Sequence, residues 1–199
     1  MYAFRWLYVK KWDHQSPDER YEVRVTFGGK PVKDIKTDRI SSVEEGTMHW
    51  HEANHIHGWF VDNVQAGEDD CDEYEVSQEK LLELHDVCGQ VLAASKLVDG
   101  TFYGGTVDDK DHQRGLIKLI PGKVIEDPTV AKKLLPTRSG VGFGRGDYDK
   151  LYLINVKDTR DWAARMIADR KDGVSGAIYY TSSWGEVASP LNTRLLVGK

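Results

Sequence analysis

The chain has 199 residues, 40% of them hydrophobic and 30% charged, with a formal net charge of −5. That length supports a buried core without disulfide staples, and the composition is globular, unlike that of a disordered or membrane-embedded chain. No apolar run approaches bilayer length, and the acidic balance argues against general nucleic-acid binding, which needs clustered lysine and arginine.

Tyr2 to Lys10 and Arg20 to Phe27 are rich in aromatic and β-branched residues, and Gly28-Gly29 supplies a turn, so both segments read as strands. From Thr47 to Gln65 the apolar residues recur at helical spacing, and Gly67 marks a stop. Ser77 caps a second helix whose Leu81, Leu84, Cys88 and Val91 share a face. Residues 96–126 carry glycines and short apolar clusters, and a hairpin or extended insertion is expected there. Asp127-Pro128 opens a short helix through Leu135, which Pro136 ends. Tyr148 to Val156 is open to strand or helix, a helix follows from Asp158 to Asp169, and Ala177 to Tyr180 reads as a final strand. With no repeat or composition break, one domain over residues 1–199 is expected, α+β in class: a small antiparallel sheet with packed amphipathic helices.

The N-terminal residues show no basic leader followed by an apolar stretch, so residence in a cytoplasm is expected. In such a reducing compartment Cys71 and Cys88 are expected to be free thiols.

His51-Glu52-Ala53-Asn54-His55 spells H-E-x-x-H. In zinc peptidases this spacing places two histidine ligands one helical turn apart, and the intervening glutamate activates the metal-bound water. On the 47–65 helix His51 and His55 share a face at about 200–240°, opposite an apolar stripe at about 20–120° that holds Trp50, Ala53, Phe60 and Val61. The extended motif asks for a third ligand where Val61 stands. The site is therefore not the leading expectation, and His51, His55 and Glu52 stand as an alternative zinc centre. His57 falls inside the apolar stripe and is expected to be a neutral, hydrogen-bonded core residue, with Asn54 at the stripe's edge as a partner.

Cys71, His85 and Cys88 form an incomplete metal set, and Cys88 belongs to the apolar face of its helix. Gly140 to Gly146 alternates glycine with other residues without matching either phosphate-loop fingerprint, so close approach of a backbone or ligand is the expectation. Residues 68–75, Glu-Asp-Asp-Cys-Asp-Glu-Tyr-Glu, concentrate acidic side chains; such a run is usually a solvated loop, and otherwise attracts a cation or a basic partner surface or imitates nucleic acid toward a DNA-binding host protein.

Ala53 to Cys71 resembles a segment of a family of small proteins encoded by tailed bacteriophages, and so does Leu134 to Gly140 with Phe143-Gly144 and Tyr148-Asp149. The likeness covers the middle helices and residues 134–165, leaving out the termini and residues 96–126. Its recurring elements correspond to Asn54, Ile56, His57, Trp59, Phe60 and Cys71, while the positions of His51, Glu52 and His55 are commonly basic or small. Val141 and Gly142 stand where the family tends to have aromatic residues. The resemblance brings no assigned activity. It implies a phage source, and the leading expectation is a phage accessory protein that binds a host protein or a small molecule in the host cytoplasm without catalysis; no cofactor and no membrane contact are expected. The residues expected to carry binding are Asn54, His57, Trp59, Asp69, Asp70 and Asp72. The alternatives are zinc-dependent hydrolysis with Glu52 as general base, and a minor virion component.

Overall fold

A computed structural model of the chain describes residues 1–9, 14, 16, 20–107, 116–138, 146–172 and 176–183. The fold is α+β. Its main sheet contains β1 (Tyr2–Tyr8), and further along the chain come β2 (Thr26–Phe27), β3 (Lys30–Pro31) and β4 (Ser42–His49). Helix α1 (Asn54–Asn63), strand β5 (Tyr74–Glu75) and helix α2 (Gln78–Ala94) follow. Strands β6 (Leu97–Val107) and β7 (Leu116–Ile125) lead to α3 (Thr129–Leu134), α4 (Lys150–Lys171) and β8 (Ile178–Thr181).

The main sheet has the order β4-β1-β8-β5 with every pairing antiparallel. Alternation along β1 assigns its two faces. Ala3 enters the core shared with the helices, and buried Arg5 binds Glu45 on β4 and Asp169 on α4. Phe4 points the other way and stacks on Tyr179, with ring centroids 5.7 Å apart. On β8, Ile178 and Tyr180 join the core while Tyr179 does not. Against this face lie α1, α2 and α4, with α2 and α4 packed along each other. Leu81, Leu84, Cys88 and Val91 of α2 are all fully buried, and the Ser77 hydroxyl accepts from the Lys80 N–H as the helix cap.

Several elements differ from the sequence expectations. Residues 47–49 are strand and not helix, because β4 pairs with β1 from Ser42 to His49 and the ladder satisfies that backbone first. Helix α1 starts only at Asn54. Residues 150–156 belong to one continuous 22-residue helix, α4, whose N-cap carboxylate Asp149 accepts from the Tyr152 N–H. In the segment from Arg20 to Phe27 only Thr26–Phe27 is strand, in a two-residue ladder with β3. Helix α3 begins at Thr129 after Pro128, with Asp127 accepting from the Thr129 N–H and hydroxyl. Residues 96–126 contain the antiparallel pair β6 and β7. On one face of that ribbon Phe102 lies over Gly122 and Val124 over Gly100, so closely that a Cβ on either glycine would collide with it. Gly140 to Arg145 lie outside the described residues.

Candidate functional site

Helix α1 lies inside the core. Every residue from Asn54 to Val61 is buried, so this helix has no solvent face along most of its length. A helix enclosed on all sides cannot be parsed by its apolar stripe, and its polar side chains must find partners or spaces inside the fold.

His57 has found partners on both ring nitrogens. Nδ1 lies 2.6 Å from the Tyr180 hydroxyl and Nε2 lies 3.0 Å from Asp69 Oδ1. Burial lowers the His57 pKa and the Asp69 carboxylate opposes that shift, so the ring is neutral at neutral pH and the Asp69 contact is a hydrogen bond more than an ion pair. A carboxylate only accepts, so the proton sits on Nε2 and Tyr180 donates to Nδ1. Burial holds the Tyr180 hydroxyl in its protonated form. His57 is the buried, neutral residue expected, but its partners come from β8 and the acidic loop. Asn54 instead accepts the Arg138 backbone N–H at 2.8 Å.

Arg138 joins α1 to the segment that follows α3. Its guanidinium pairs with Asp62 at the exposed end of α1. Its side chain crosses Gly58 so tightly that a Cβ there would collide with the guanidinium stem. Glycine at this position thus lets the Arg138 side chain lie directly across the helix.

The H-E-x-x-H residues are separated by the fold. His51 and Glu52 precede α1 in an exposed bend, and Glu52 has φ 52, a left-handed backbone uncommon outside glycine. His55 lies in the first turn and is buried, its ring 4.2 Å from that of Tyr152 on α4. The shared, outward histidine face is therefore corrected: one ring is outside the helix and exposed, the other is inside the core. Among the described residues no three His, Cys, Asp or Glu side chains are grouped to hold a metal ion. Glu52 and His55 nevertheless line one cavity of about 10 Å³ with Asp147, Asp149, Tyr152 and Asn155. That is room for one water-sized group. His55 Nε2 is buried without a hydrogen-bond partner, and burial pushes the His55 pKa down to about 3. Asp147, Asp149 and Asn155 are missed as site residues because nothing local in the sequence links their distant segment to α1.

Trp59 is 6% exposed and packs edge-on against Phe60, which corrects its assignment to an accessible binding surface. Cys88 is buried and Cys71 exposed, both as free thiols, and burial pushes the Cys88 thiol up to about 12.

The acidic segment is built into the scaffold. Asp69 binds His57, while Asp70 accepts from the Asp72 N–H and the Tyr74 hydroxyl. The Asp70 and Cys71 carbonyls accept from the Ser182 and Thr181 hydroxyls at the end of β8. Glu68, Asp72 and Glu73 remain exposed. Two of the expected binding carboxylates, Asp69 and Asp70, thus hold the loop in shape, and Asp72 lies beside them on the surface. No protein-family model and no solved structure matches the chain.

Proposed function

We propose that this chain is a phage accessory protein that acts by binding, without catalysis, in the host cytoplasm, and that its partner is a host protein with a basic surface. The observation that supports this reading is the acidic loop at 68–73, tied to α1 and β8 by side-chain hydrogen bonds while Glu68, Asp72 and Glu73 face solvent. Carboxylates held in place before binding lose little entropy on association, and clustered negative charge steers a basic partner.

Charge reversal at the solvent-facing positions, Glu68→Lys with Asp72→Lys and Glu73→Lys, leaves the anchoring Asp69 and Asp70 intact. Wild-type protein is expected to retain a specific host protein at low salt and release it as salt rises, and the triple variant is expected to lose it. Equal retention by both proteins would refute the acidic loop as the contact surface. Stoichiometric zinc in untagged protein, lost on His55→Ala, would favour hydrolysis instead, and enrichment in purified particles would favour a virion component.

A further inference from the structure

The cavity beside α1 supports an inference independent of the acidic loop, because different residues form it. His55 is 3% exposed and its Nε2 lacks a hydrogen-bond partner. A buried polar atom in that state is costly to keep, so a hydrogen-bond donor that reached it would be stabilised. Glu52, Asp147 and Asp149 line the same cavity, so whatever enters meets negative charge. Asp149 Oδ1 is fixed as the α4 cap and Asp147 Oδ2 accepts the Tyr103 N–H at 3.1 Å, so these side chains are positioned in advance.

We propose that this cavity binds a primary alkylammonium group, the –NH3+ head of a lysine side chain or of a free amine, with His55 Nε2 as an acceptor. Glu52, Asp147 and Asp149 supply the opposing charge. The head has three N–H donors on one atom and about the size of a water, which is the space a cavity of about 10 Å³ offers. Burial keeps the His55 ring neutral at neutral pH, so it offers a lone pair and no repelling charge.

The test is a titration of the full chain with Nα-acetyl-lysine amide and, separately, with 1,4-diaminobutane, read at the His55 ring nitrogens by NMR. Both probes are expected to move the His55 signals saturably at millimolar concentration, the tighter one identifying the source of the amine. Tetramethylammonium, which has no N–H, is expected to leave them in place. Glu52→Gln, an exposed change that spares the core, is expected to weaken binding about 2- to 5-fold. Absence of a His55 shift with either amine, an equal shift with tetramethylammonium, or unchanged affinity in Glu52→Gln would overturn the proposal. None of these outcomes depends on whether a host protein is captured.

Discussion

His55 and His57 stand two residues apart on α1, and burial has different consequences for them. His57 is locked between a hydroxyl and a carboxylate, so its two ring nitrogens are committed to structure. Removing the hydroxyl in Tyr180→Phe leaves Nδ1 a buried acceptor without that donor. Chemical denaturation is expected to show a loss of about 1–3 kcal/mol. His55 makes the larger contribution to pH dependence. Both rings have lowered pKa values in the folded chain, His55 to about 3 against an ordinary value of 6.5. The unfolded chain therefore binds more protons between those values, so stability is complete above about 6.5 and declines as pH falls toward 3. Thermal midpoints measured from about pH 7 down to about pH 4 are expected to fall, and to fall less in His55→Phe, which has no proton to take up.

At the scale of elements, α1 is held by residues far away in the chain. Arg138 comes from the segment after α3, yet its N–H caps the Asn54 side chain and its guanidinium reaches Asp62 across Gly58. Gly58→Ala is expected to push the Arg138 side chain aside. The lost ion pair is exposed and worth about 0–1 kcal/mol, and alanine returns about 1 kcal/mol of helix propensity. Stability is therefore expected to stay within about 1 kcal/mol of wild type while the Arg138 Nε–H signal moves in NMR spectra. A loss of several kcal/mol would show that the neighbouring backbone, and not only this side chain, had to shift. Helix α2 is the contrasting case: its serine cap and 3-4-3 apolar spacing suffice to specify it, and the structure places all four spaced residues at zero exposure.

Across the whole molecule, the aromatic core joins β8, α1 and α4: Phe60 stacks on Tyr180 at 3.9 Å, and Trp50 meets Trp162 edge-on at 5.2 Å. The buried indole of Trp50 donates to the Thr159 hydroxyl at 2.8 Å. Arg5 ties the sheet to α4 through Asp169. This packing brings residues 68–72 against the end of β8, turning a charged run into a shaped surface. The expectation of a solvated loop is half met, since Glu68, Asp72 and Glu73 are exposed while Asp69 and Asp70 make hydrogen bonds within the protein.

The sequence by itself determined the α+β class, the apolar face of α2, the strand at the start of the chain and the buried, neutral character of His57. All of these follow from local patterns, in which neighbours at periods of 2 or 3.6 residues decide which side is covered. Only the tertiary structure decided that β4 runs through His49, that α4 begins at Lys150, that Trp59 is enclosed, and that Glu52 and His55 meet Asp147 and Asp149 at one cavity without sharing a helix face with His51. A periodic pattern describes one covered face. It cannot show that a helix is enclosed on every side, or which distant carboxylates will stand beside a histidine once it is.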